Sequence, residues 1–171
     1  MIKRIEYGYR WNDYRGAWAT PYSERRARQH HVTRRIYTAL IEQHDGSLVA
    51  LELCFAGAYC NVYFLDDQKR CFMCYTFEPI DEDRLFLCST GNAEYEGESR
   101  VSWRGISRSY DRDGRVKTFT SDPQGKPVVL YEEEPADVRF HYEPVPAFKE
   151  WESIIRRDRS RPALRVIPGG T

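Results

Sequence analysis

Three sets of side chains in this chain have the types and spacing that chemistry needs. The first is Cys71-Phe72-Met73-Cys74, a C-x-x-C. Such a pair holds zinc when a turn brings both sulfurs to one ion, and works as a redox couple when it opens a helix after a strand. Neither context is met in the sequence. Phe72 and Met73 do not make a turn, and the run 70–77 (RCFMCYTF) reads as a strand with apolar residues on both faces. In a regular strand, positions 71 and 74 point to opposite faces. Adding Cys54 and Cys60 gives C-x5-C-x10-C-x2-C, which is not a standard zinc spacing. The five cysteines are therefore expected to be reduced core thiols, with no metal and no cofactor.

The second set is His30-His31, which follows Arg25, Arg26 and Arg28. A general base needs a pKa near neutrality and a partner that orients it. Neighbouring arginines push a histidine's pKa down and favour the neutral base. One reading is an enzyme site around His30, His31 and a buried cysteine. The simpler one is an exposed basic loop or helix start. His141 alternates out of the face formed by Val138, Phe140 and Tyr142, and reads as a surface residue of a last strand. No P-loop, G-x-G-x-x-G, G-x-S-x-G or H-E-x-x-H occurs, so no catalytic residue is assigned.

The third set is acidic: Asp81-Glu82-Asp83, then Glu94, Glu96 and Glu98, then Glu132-Glu133-Glu134 with Asp137. If residues 94–98 are extended, three carboxylates share one face and repel each other. Folding alone does not ask for that. These ten residues are the expected docking surface for a basic protein, with solvated loop ends as the plain alternative. The regional charge agrees. Residues 1–35 hold nine basic against three acidic side chains, a net +6. Residues 36–155 hold twelve against twenty-two, a net −10, and residues 156–171 five against one, a net +4. An acidic body argues against nucleic acid, whose backbone it would repel. The opening still alternates Tyr7, Tyr9, Trp11, Tyr14, Trp18 and Tyr22 with Arg4, Arg10 and Arg15. That could be a stacking platform for bases, or a cap over the sheet with arginines lying on the rings.

The elements that position these residues follow from periodicity. Val49, Leu51, Leu53 and Phe55 alternate, and His44-Asp45-Gly46 joins their strand to the run 35–43 as a hairpin. Further strands are predicted near 2–9, around Cys60, Val62 and Phe64, and over 70–77, 84–90, 99–110, 115–120 and 128–133, with Val138 to Tyr142 last. Turns are predicted at Asp66–Lys69, Asp111–Gly114 and Asp122–Gly125. Phe148, Trp151, Ile154 and Ile155 recur at helical spacing, so 147–158 is predicted as an amphipathic helix on the sheet. The expected fold is mainly β: a curved or barrel-like antiparallel meander with one C-terminal helix, a single domain over 1–158. Residues 159–171 are expected to be a mobile basic tail. No apolar run is long enough to span a bilayer as a helix, and Met1 to Tyr7 lacks the apolar stretch of a secretory signal. A cytoplasmic chain is the expectation.

The stretch Tyr110-Asp111-Arg112-Asp113-Gly114-Arg115-Val116, with Thr120, Asp122, Gly125 and Tyr131, resembles one copy of the YD repeat of bacterial Rhs-type toxin shells. A shell repeats that unit many times, so one copy implies only a local hairpin. The chain also resembles in type the cytoplasmic immunity proteins of bacterial polymorphic toxins: small, single-domain, β-rich, acidic in the body and without catalytic motifs. That resemblance implies a non-catalytic protein that neutralises a toxin by occluding a basic cleft. The alternatives are an enzyme near His30 and His31, and a nucleic-acid-binding or regulatory module using the basic N-terminal arm.

Overall fold

Alternating apolar residues build one large sheet. The computed structural model describes residues 2–12, 15–57, 59–121, 127–133 and 135–159. The strands are β1 (Ile2–Gly8), β2 (Trp11–Asn12), β3 (Ala17–Trp18), β4 (Pro21–Tyr22), β5 (Tyr37–Gln43), β6 (Leu48–Cys54) and β7 (Tyr59–Leu65). They continue as β8 (Cys71–Pro79), β9 (Arg84–Tyr95), β10 (Ser102–Tyr110), β11 (Val116–Ser121), β12 (Pro127–Glu133) and β13 (Tyr142–Pro144). The sheet runs β12-β11-β10-β9-β8-β7-β6-β5-β1-β4, with β13 added beside β9 and β2-β3 as a separate ribbon. Every pairing is antiparallel, so the expected meander is the architecture. It stays open, with β12 at one end and β4 at the other. Tight turns set the registers. At Asp45-Gly46 and Asp113-Gly114 the glycines take φ of 84° and 92°, conformations that a side chain would strain.

The sheet has an inner and an outer face. Tyr37, Ala39, Ile41, Val49, Leu51, Leu53, Cys60, Val62, Phe64, Phe77, Leu85 and Leu87 form the inner core. Leu40, Ala50 and Leu65 form a smaller outer cluster. Trp11 and Trp18 of the β2-β3 ribbon cover that cluster, edge to face at 5.2 Å. Gly8 makes room for them: a Cβ there would lie 2.2 Å from the Trp18 ring. The opening aromatics thus serve as cover, with Lys69 over the Trp11 ring and Arg26 over the Tyr22 ring.

The helix is not C-terminal. The α-helix of the described residues is α1, Glu24–Val32, inside the Arg-rich stretch. Ser23 caps it by accepting a hydrogen bond from the Arg26 amide at 3.3 Å, Glu24 sits in its first turn and His30 and His31 in its last. Arg34, at φ 55°, turns the chain out of it. Residues 147–158 form irregular turns instead, and Lys149 takes φ 73°, which no helix allows. The apolar stripe still reaches the inner core, where Trp151, Ile154 and Ile155 are buried and Phe148 packs beside them. An isolated helix of that length is marginal, so the burial of each anchor decides the backbone rather than the period.

Three local readings also change. Val138–Phe140 is a 3-10 turn capped by Asp137 rather than a strand, and the strand there is β13. His141 is half-buried, its Nδ1 paired with the Leu87 carbonyl at 3.0 Å and its ring against Tyr110 and Phe86. Residue 159 is not part of a loose tail. The Arg159 guanidinium donates to buried Glu143 and to the carbonyls of Ser153 and Ile154. The predicted turn at Asp122–Gly125 and the remainder of the tail, 160–171, lie outside the described residues.

Candidate functional site

The predicted acidic surface does not converge on one patch. Asp81, Glu82 and Asp83 form the turn from β8 to β9, while Glu94 stands at the far end of β9. Only Glu94 of its trio is in the strand. Glu96 and Glu98 belong to the following turn, whose Gly97 and Ser99 carbonyls accept from Arg70. Arginines already compensate some of the set. Arg84 pairs with Asp81 at 2.6 Å, and Arg139 with Asp137 at 2.6 Å. Hydrogen bonds from Arg139 bring the Asp137 carboxyl down to about 2. Glu132 and Glu133 lie on the edge strand β12, opposite Lys117 and Val116. Glu134 lies outside the described residues.

The two histidines of α1 are adjacent on the helix and diverge. His30 Nδ1 meets the Ile36 carbonyl at 2.9 Å, and its ring packs on Tyr22. His31 Nδ1 pairs with the Tyr37 hydroxyl at 2.9 Å, inside a box of Tyr37, Phe55 and Phe148 rings. Burial pushes the His31 pKa down, with the Arg28 charge second, so the expected direction holds but its main cause is desolvation. Burial also lowers His141. The sign for stability follows. Both groups are held neutral in the fold and bind protons more readily unfolded, so stability falls as pH drops through about 6.5, the unperturbed histidine value. Denaturant titrations at pH 7.5 and 5 should show it. Phenylalanine at position 31 should remove part of the slope.

The feature that sequence reasoning missed is on the outer face beyond the ribbon. Phe72 and Met73 both pack on the inner side, next to Phe64 and under Arg157 in the case of Phe72. Two consecutive residues on one face require a β-bulge, and the β7–β8 register shifts there: Phe64 opposes Met73, but Leu65 opposes Cys71. The bulge reverses the phase, so Cys71 and Cys74 emerge on the same outer face. The Cys71 thiol has two acceptors in reach, the Met73 carbonyl at 3.4 Å and Cys74 Sγ, and the Gly91 amide donates to Cys74 Sγ. Those bonds outweigh burial and bring the Cys74 thiol down to about 7. Burial pushes the Cys60 and Cys88 thiols up instead. The adjacent pair of large apolar residues was the signal available in the sequence, since a strand with one buried face cannot bury both without a bulge.

Both sulfurs open onto a groove of about 250 Å³ floored by β9 and β10 and bounded by Phe119 of β11. Small residues make it: Gly91, Gly105 and Ser107 face outward where larger side chains would fill the space. A Cβ on Gly91 would come within 2.8 Å of Cys74 Sγ. At this end of the sheet the large apolar side chains are exposed: Val101, Trp103 of β10, Phe119 of β11 and Tyr131 of β12. Among the described residues, no group of three or more His, Cys, Asp or Glu side chains could hold a metal ion. Among the described residues no helix is long and apolar enough to cross a membrane. Compared with known protein families, with characterised proteins and with solved structures, the chain matches none.

Proposed function

We propose that the chain is a non-catalytic protein-binding module that docks a basic partner on the β10–β12 end of its sheet. The observation that carries this is the exposure of Phe119 of β11 and Tyr131 of β12, each about 40 %, on the two faces of the last hairpin, whose strand β12 is an edge among the described residues. Exposed aromatic anchors are the residue types that dominate binding energy once desolvated. That edge strand ends in Glu132 and Glu133, and residues 127–138 together carry Glu132, Glu133, Glu134 and Asp137 and no Lys or Arg. The topology supports the choice of sign. Basic α1 packs on β1 and β5, towards the opposite end of the sheet from β12, and at the β12 end the acidic side chains lie on the edge strand and the loop after it, while β10 and β11 carry Arg104, Arg108 and Lys117. The specific form we put forward is an immunity protein in the bacterial cytoplasm, which would occlude the basic cleft of a toxin.

Capture on the immobilised full chain from the cells that make it, followed by kinetics at two salt concentrations, tests the reading. Association should slow steeply between 0.1 M and 1 M salt, as the Debye length falls from ~10 Å to ~3 Å. Changing Glu132, Glu133 and Glu134 together to Gln should slow association without lowering the melting temperature. Phe119→Ala should instead raise the dissociation rate, by roughly tenfold or more if it is an anchor. Recovery of RNA or DNA alone would move the working surface to Arg25, Arg26 and Arg35 near α1 and overturn the proposal. Turnover of a small molecule near His30 and His31 would do the same.

A further inference from the structure

We propose that Cys71 and Cys74 are a thiol–disulfide exchange couple, and that the groove above them seats a low-molecular-weight disulfide. Three observations carry this. The bulge at Phe72-Met73 puts the two thiols side by side on one face, the juxtaposition that a regular strand forbids. The groove gives them access from outside, Gly91 keeps space next to Cys74 Sγ, and Gly105 keeps the groove floor open beside Ser121. The pair is also held in place. The Tyr95 hydroxyl donates to the Cys71 carbonyl at 2.7 Å, Arg70 lies over the Tyr95 ring, and Cys71 Sγ lies 3.4 Å from the Met73 carbonyl. Cys60, by contrast, is fully buried in the inner core, and Cys88 Sγ is turned to the Thr76 carbonyl.

The roles follow from the hydrogen bonds. Cys74 Sγ accepts from the Gly91 amide and competes with the Met73 carbonyl for the Cys71 thiol proton, so Cys74 is the attacking thiolate. It attacks one sulfur of R–S–S–R; that bond breaks, a Cys74–S–S–R mixed disulfide forms, and R–S⁻ leaves and takes a proton from water. Cys71 then loses its proton and attacks Cys74 Sγ, expelling the second R–S⁻, which is protonated in turn. Two protein thiols are oxidised to one disulfide, and one small disulfide is reduced to two thiols. The reverse sequence restores the dithiol. A groove of this size is short for a folded protein's disulfide loop, which is why the substrate class is a small molecule.

Reaction rate alone is a weak test. At pH 7 a thiol with pKa about 7 is about half ionised, against about 3 % for an ordinary cysteine, but its lower nucleophilicity takes back about fivefold, leaving roughly a threefold gain. The pH midpoint and the product are better readouts. The full chain should be equilibrated with oxidised and reduced glutathione at set ratios, acid-quenched and mapped by mass. The native chain should lose two hydrogens and give a joined 71–74 peptide. Cys71→Ser should stop at a single glutathione adduct on Cys74. Cys74→Ser should give neither product, and Cys88→Ser should behave as the native chain. The alkylation rate of Cys74 should be half-maximal near pH 7, and Cys71→Ala should move that midpoint upward by removing a donor. A disulfide or adduct mapped to other cysteines overturns the proposal. So does a folded chain inert to glutathione disulfide at every ratio while the denatured chain reacts. Oxidation by a protein disulfide only would overturn the small-molecule substrate.

Discussion

Trp151→Ala is expected to lower the free energy of unfolding by about 3–5 kcal/mol, the usual range for truncating a fully buried aromatic. Trp151 is fully buried and the largest such side chain in the core. It meets Phe148 at 5.8 Å and Tyr7 at 6.4 Å, both edge to face, and so ties the C-terminal segment to β1. Because no helix holds 147–158 together, the anchor side chains are its main attachment, and losing one loosens the others. In a chain of this size the midpoint should drop by roughly 6–20 °C, at about 2–4 °C per kcal/mol. The Trp151 Nε1–H has no hydrogen-bond partner among the described residues, an existing cost that lowers the net value of the tryptophan. Trp151→Phe should therefore recover much of the stability lost in the alanine variant. Thermal melts of the three proteins decide it. An unchanged midpoint for alanine would show that the segment contributes nothing to the fold.

Removing the Glu143 carboxylate should be as damaging. Glu143 of β13 is 3 % exposed and accepts from Arg156 at 2.9 Å and from Arg159 at 2.5 Å. Arg159 lies over the rings of Tyr75 and Phe77, and burial pushes its pKa below the usual guanidinium range, against the pull of Glu143. Glu143→Ala leaves that cation uncompensated in the inner core, a situation that costs about 3–5 kcal/mol. The pair's net worth is a different quantity. Replacing Glu143 and Arg159 together with Met should cost far less than Glu143→Ala, because two desolvated charges disappear at once. Denaturant unfolding of the single and double variants measures this. Equal losses in both would mean that packing, not charge, sets the value of the site. Glu143→Ala should also expose residues 156–159 to proteolysis, since the carboxylate joins that stretch to the sheet.

The sequence by itself determined the mainly β meander, because a strand with one buried face must alternate, and Val49, Leu51, Leu53 and the runs after them do. It also determined the turns at Asp45-Gly46 and Asp113-Gly114, where few residues tolerate φ > 0. The core role of Trp151, Ile154 and Ile155 was legible in their apolar recurrence, although the helix inferred from it was not formed. Tertiary packing decided the rest. Local spacing does not record that the inner face draws each anchor separately, so 147–158 wraps as turns. The nine-residue helix at Glu24–Val32 shows no long apolar stripe; its caps and the burial of Ala27 sustain it. Glu143 looked like a polar residue beside Pro144, and only the return of Arg156 and Arg159 across the sheet gives it partners. The thiol pair is the clearest case. Period two places Cys71 and Cys74 apart, and it took the competition of Phe72 and Met73 for one buried face to insert a bulge and bring them together.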